Sequence, residues 1–101
     1  MANTVTKDGN VVSVTFDGAA AFDLAAYLSA PHVRLRKLVL YPAAANDVFT
    51  VRQGGASGPV LYKCKDTAGA GRDPDFPGVP CKPYVKGDEV PANGLISFIF
   101  E

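Results

Sequence analysis

The chain has 101 residues, the size of a single domain, and 48% of them are hydrophobic, which favours a folded core over disorder. Ten basic residues balance ten acidic ones, so net charge provides no general attraction to nucleic acid or anionic membranes. The opening "MANTVTKDGN" lacks the pattern of a secretory signal, and no apolar run reaches the roughly 20 residues of a membrane span. We therefore expect a cytoplasmic protein without a membrane partner.

Two elements are predicted in the first third of the chain. In "TVTKDGNVVSVTF", β-branched residues flank Asp8 and Gly9, which predicts a hairpin with Val12, Val14 and Phe16 on one face. The following "AAAFDLAAYLS" supports at most two turns of helix, which must end before Pro31.

The next segment, "VRLRKLVLY", is predicted to be a strand with a bulge. Val33 and Leu35 alternate with arginines, and the phase then slips so that residues 38–41 are all apolar. A slip of this kind indicates a β-bulge near Lys37 or a strand that passes from a half-exposed to a buried position.

A second hairpin is predicted from "VFTVRQ" and "VLYKCKD", which pair across the turn "GGASGP". Phe49 and Val51 face one way, and Thr50 and Arg52 face the other. The turn does not resemble a phosphate-binding loop, because no Lys follows its last glycine and it leads into a strand.

The remainder of the chain divides into a loop and two strands. Residues 67–83 are so rich in Gly and Pro that we expect a long irregular loop. A short edge strand is expected within residues 84–94. The terminal "LISFIF" places Ile96 and Phe98 on one face and residues such as Ile99 on the other, so it is either a central strand or part of an interface.

These elements predict the fold class. Six to eight short strands, regular turns and one short helix are typical of an all-β, antiparallel β-sandwich, either jelly-roll-like or a flattened barrel. We expect one such domain over residues 1–101, with a long Gly/Pro-rich loop.

Catalytic, cofactor and metal sites are not indicated. Ser57 lacks the glycine that a nucleophile elbow requires two positions later, and His32 is the sole histidine, so no second imidazole can assist it. Asp66, Asp73 and Asp75 lack the spacing of a calcium loop and are better interpreted as solvated carboxylates. We predict that the protein is not an enzyme and holds no cofactor.

The cysteine count leaves two interpretations open. Cys64 and Cys81 are the only cysteines and do not form a metal-binding pattern. They are either joined in a disulfide, which would contribute about 3 kcal/mol in the chain-entropy model, or are two thiols, one of them packed inside.

Two surfaces are candidates for binding. The outer face of the terminal strand, with Leu95 and Ile99 and with Tyr84 nearby, is either an oligomer interface or part of an internal core. If the basic strands share a sheet, a basic face results that would contact an acidic partner or would simply be solvated. Nucleic acid is the weaker partner because stacking aromatics are not interleaved. That basic face comprises Arg34, Arg36, Arg52, Lys63 and Lys65.

A resemblance rests on "LYPAAANDVFTVRQGGASGPVLYKCKD", "CKPYV" and the terminal "ISFIFE". Together these segments, from about Leu35 to Glu101, resemble small uncharacterised proteins of tailed phages and prophages, often encoded among virion structural genes. The resemblance implies a β-sandwich that sits in or assembles with a phage particle, and it implies no catalytic residues. The loop "TAGAGRDPDFPGVPC" and the cysteine pair do not match that pattern.

Two functions follow as hypotheses. The first is a non-enzymatic phage or prophage structural or assembly protein that forms a homo-oligomer or contacts other virion proteins. It would be made in the cytoplasm of the bacterial host and then join the phage particle. The alternative is a monomeric module that binds a glycan or small ligand on the sandwich, for which only Phe76 offers a stacking aromatic in the long loop.

Overall fold

The computed structural model describes residues 3–66, 69 and 71–101. They form nine strands, one turn of α-helix and a 3-10 turn at Gly87–Glu89. The strands and the helix are β1 Thr4–Asp8, β2 Val11–Thr15, β3 Phe22–Asp23, α1 Leu24–Tyr27, β4 Val33–Tyr41, β5 Asp47–Gln53, β6 Val60–Asp66, β7 Asp75–Cys81, β8 Pro83–Val85 and β9 Leu95–Phe100.

The strands form two antiparallel sheets. One sheet has the order β1-β2-β9-β4-β7, and the other has the order β3-β8-β5-β6. Buried side chains of both sheets belong to one hydrophobic cluster, with Val14 and Phe98 from the first sheet and Phe49 and Val85 from the second. The predicted all-β sandwich is confirmed, because two sheets that are each apolar on one face bury those faces against each other.

The first hairpin follows the predicted pattern. β1 pairs with β2 from Thr4–Thr15 to Asp8–Val11, and the turn at Gly9 uses a positive φ of 59°. Val12 and Val14 are fully buried. β2 then pairs with β9, which places Val12 opposite Phe98 on the core side of the sheet.

The bulge in β4 is confirmed. The register of β4 against both of its neighbours shifts between Leu35 and Lys37. The extra residue restores the phase of the strand, so Leu35 before the bulge and Leu38 and Leu40 after it all reach the core.

The second hairpin is also confirmed. β5 and β6 pair from Asp47–Asp66 to Arg52–Val60, and the amide of Gln53 donates to the carbonyl of Pro59 at 2.8 Å, which closes the turn. The turn segment "GGASGP" therefore connects two strands.

The prediction of a long irregular loop over residues 67–83 is wrong for its second half. Asp75–Cys81 is β7, which pairs with β4 at the edge of the five-stranded sheet. Proline is tolerated on an edge strand, where an N–H can point away from the sheet, so the composition did not exclude a strand. Residues 67, 68 and 70 of the predicted loop lie outside the described residues.

Two further elements can be compared with the predictions. The helix has a single turn, in which the carboxylate of Asp23 accepts a hydrogen bond from the Ala26 amide at 3.1 Å, and it ends before Pro31 as expected. β8 is the short strand expected after residue 83, but it lies between β3 and β5 and is not an edge. Among the described residues, no helix has the length and apolar character needed to cross a membrane.

Candidate functional site

The five-stranded sheet presents a largely uncharged outer face. Its cross-strand pairs on the side away from the core join β2, β9 and β4 in three rows across the sheet. Most of these side chains are half-exposed, and all but Lys37 are apolar or carry hydroxyl groups. We call this surface the outer sheet face; it consists of Val11, Ser13, Thr15, Lys37, Val39, Tyr41, Leu95, Ser97 and Ile99, and of these only Lys37 is charged.

The outer sheet face has a pair of hydroxyl groups in its middle row and an exposed tyrosine at one end. In the middle row, the hydroxyls of Ser13 and Ser97 hydrogen-bond to each other at 2.8 Å. At one end, Tyr41 lies beside Leu95 and is 54% exposed. The face therefore combines apolar area with one pair of hydroxyls, on Ser13 and Ser97, that already satisfy each other.

The three residues predicted to form an interface do not lie together. Leu95 and Ile99 share the outer sheet face. Tyr84 belongs to β8 in the other sheet, where it pairs with Asp23 and Arg52. The alternation of side chains along a strand correctly predicts that Leu95 and Ile99 share a face, but it does not show which sheet β8 joins.

The predicted basic face is also divided. Arg34 and Arg36 lie on β4 in the five-stranded sheet, and the other basic residues lie on β5 and β6 in the four-stranded sheet. The condition that these strands share one sheet is therefore not met. Arg34 donates to the carbonyl of Gly78 at 3.0 Å, which ties it to the neighbouring strand β7.

Arg52 on the four-stranded sheet is neutralised by Glu89 from the 3-10 turn. Two nitrogens of the guanidinium donate to the two carboxylate oxygens, each at 2.7 Å. The hydrogen bonds from Arg52 lower the pKa of Glu89, and the same contact raises the pKa of Arg52. The pair anchors the β8–β9 connection to β5. Because the charge of Arg52 is neutralised, Lys63 and Lys65 are the two residues of the predicted basic face that remain as neighbouring cations on this sheet.

A groove of about 420 Å³ lies beside this ion pair. Its lining includes Thr50, Lys63, Asp88 and Glu89, so it is polar and carries charges of both signs. None of the described residues that line it is aromatic. The groove therefore lacks the stacking ring that would favour the glycan-binding alternative.

The cysteines are not joined. Cys64 on β6 is half-buried and Cys81 on β7 is buried, and both are free thiols in the structure. Burial raises the pKa of the Cys81 thiol. Burial also raises the pKa of Tyr62, with further contributions from nearby Cys64. Of the two interpretations of the cysteines, the structure has the pair of thiols, with one packed inside.

The residues considered for catalysis and metal binding are dispersed. His32 and Ser57 are both exposed, in separate loops. Asp73 and Asp75 both approach the ammonium of Lys37, at 3.8 and 3.3 Å. The side chain of Asp66 lies outside what the structure describes. Within the described part of the chain, no three potential ligand side chains cluster as a metal site.

Sequence reasoning missed several residues of these surfaces. The alternation in "VVSVT" assigns Val11 and Ser13 to the face opposite Val12, so it could have added them to the outer sheet face. No sequence pattern indicates the ion pair of Arg52 with Glu89, because the two residues are 37 positions apart in different elements.

The fold and these surfaces define an all-β protein, an antiparallel β-sandwich with one largely uncharged outer face and one basic edge. Comparison with protein families, with curated proteins and with solved structures found no match to this chain.

Proposed function

We propose that this protein is a non-enzymatic structural or assembly subunit of a phage or prophage particle that self-associates through the outer sheet face. The observation that carries the proposal is the half-exposed, largely uncharged surface on the central strand β9, where Leu95 and Ser97 have only uncharged cross-strand partners. Uncharged faces of this kind gain more from being covered than a charged, solvated face does.

The hydrogen bonding of the outer sheet face supports burial by a partner. β9 is paired along both edges, by β2 and β4, so its backbone groups need nothing from a partner. The hydroxyls of Ser13 and Ser97 satisfy each other. Covering this region therefore removes apolar area from water without leaving these polar groups unpaired.

The particle is proposed on the resemblance of residues 35–101 to tailed-phage and prophage proteins. A repeated subunit of such a particle needs a rigid scaffold and contacts to further copies or to other virion proteins. The sandwich supplies the scaffold, and the outer sheet face supplies a flat surface that a second copy can match by symmetry.

The experiment is measurement of absolute mass by light scattering during size exclusion, over a range of protein concentrations and with and without reductant. We expect a discrete oligomer that reductant does not change, because the thiols are not joined. The variant Leu95→Glu should weaken association at least tenfold, since its cross-strand partners Thr15 and Tyr41 are uncharged and it would bury an unpaired carboxylate in the contact.

The matched control is Val48→Glu, which places the same charge on an exposed valine of the four-stranded sheet. It should leave the mass unchanged. A strict monomer at every concentration, or equal loss of association in both variants, would refute self-association through the outer sheet face and would favour the ligand-binding alternative.

A further inference from the structure

The four-stranded sheet has the two-residue strand β3 at one edge and β6 at the other. β6 has seven residues, Val60–Asp66, and among the described strands it pairs with β5 alone. The other sheet has a five-residue edge at β1, which carries charges of both signs at Lys7 and Asp8, and a seven-residue edge at β7, which contains Pro77 and Pro80. Because proline has no N–H to donate, β7 is a poor template for another strand, whereas β6 has no proline or glycine.

The orientation of the β6 backbone is shown by one hydrogen bond. A guanidinium nitrogen of Arg72 donates to the carbonyl of Lys65 at 3.3 Å, which places that carbonyl on the free side of the strand. Backbone groups in an antiparallel strand alternate in direction, so the N–H and C=O of Lys63 also point to the free side. The segment around Lys63 can therefore accept a further strand.

The side chains of β6 specify the chemistry of that strand. Lys63 and Lys65 are exposed on the outer side, and neither forms an ion pair with a side chain that the structure describes. On the inner side, Tyr62 and Cys64 pack against the core, and Tyr62 meets the ring of Phe76 edge-on at 6.4 Å. A matching strand carries carboxylates on its outer side and apolar residues on its inner side.

We propose that the β6 edge binds an extended, acidic segment of a partner protein by strand addition, with alternating acidic and apolar residues. A second copy of β6 does not fit, because antiparallel self-pairing centred on Lys63 or Cys64 sets lysines against each other. The lysines thus discourage pairing of like edges and select an acidic partner. This surface is separate from the outer sheet face, so the inference does not depend on the proposed function.

The test uses a fluorescein-labelled eight-residue peptide that alternates Glu and Val, with binding followed by fluorescence anisotropy. A peptide of the same composition with four Glu followed by four Val has the same charge without the alternation. We expect at least tenfold tighter binding of the alternating peptide, and at least tenfold weaker binding by Lys63→Glu/Lys65→Glu. The control Lys7→Glu/Lys82→Glu changes net charge equally at two exposed positions and should bind as the unmodified protein does.

Amide hydrogen exchange separates strand addition from loose electrostatic binding. The Lys63 amide should exchange at least tenfold more slowly with the alternating peptide bound. Equal binding of the two peptides, equal losses in the two charge variants, or unchanged exchange at Lys63 would each overturn the proposal. A peptide-induced dimer of the protein would overturn it as well.

Discussion

Two adjacent residues of β9 provide a direct test of which side of the central strand is buried. Phe98 is 0% exposed, and its ring lies 5.7 Å from that of Phe22 in the other sheet. Ile99 points to the opposite side, where it pairs with Val11 and Lys37 on the half-exposed outer sheet face. The substitutions Phe98→Ala and Ile99→Thr should therefore have very different costs.

The magnitudes follow from burial. Removing a fully buried phenylalanine ring from a packed core costs about 3–5 kcal/mol of unfolding free energy, because apolar contacts are lost and a cavity remains. Ile99→Thr keeps β-branching and removes little apolar area from a half-exposed site, so it should cost about 1 kcal/mol or less. With a denaturant slope of about 2 kcal/mol/M in urea, the midpoints should fall by about 2 M and 0.5 M or less.

The assay is urea unfolding followed by circular dichroism, at a concentration where the unmodified protein is monomeric, so that loss of association does not contribute. Comparable destabilisation by the two variants would show that Ile99 is as buried as Phe98 within one chain. That result would refute both the assignment of faces in β9 and the exposure on which the outer sheet face rests.

Two further predictions concern titratable groups. Hydrogen bonds from Arg52 lower the pKa of Glu89, and hydrogen bonds from backbone amides lower the pKa of Asp17. Both carboxylates therefore stabilise the fold at pH values above their ordinary pKa. That contribution is lost as the pH falls through their lowered pKa values in the folded protein. Urea midpoints measured from about pH 7 to pH 2 should therefore fall with pH, and less steeply in Glu89→Gln; an unchanged slope would contradict the role of the ion pair. For the thiols, an aromatic disulfide reagent should modify half-buried Cys64 before Cys81, whose burial raises its pKa, and both should react at similar rates in denaturant. Faster modification of Cys81 in the native protein would contradict its placement in the core.

Local features of this fold could be predicted because they depend on neighbouring residues. The phase slip between Leu35 and Leu38 indicated the bulge, since only an extra residue lets both side chains reach one core. The alternation in the terminal strand separated Phe98 from Ile99, because side chains on a strand alternate between faces. The apolar face of each hairpin strand and the positions of the turns could be predicted from the same short-range rules.

Features that depend on the assignment of strands to sheets could not be predicted. Alternation shows which residues of one strand share a face, but it does not show which strands are neighbours. It therefore predicts one basic face for Arg34 and Arg52, although they lie in different sheets. Composition failed for β7 because an edge strand tolerates Pro77 and Pro80 better than a central one does. The contact of Arg52 with Glu89 depends on the path of the chain between β8 and β9.

The assignment of strands to sheets also explains why the two proposed contacts are chemically independent. The outer sheet face is uncharged around Ser13 and Ser97, so its binding energy would come from apolar burial, which salt does not screen. The β6 edge carries exposed Lys63 and Lys65, whose attraction for an acidic strand weakens as ionic strength rises. Because the two surfaces belong to different sheets, one subunit can associate with its copies through the first while holding an acidic segment at the second, and conditions that release the segment need not dissociate the oligomer.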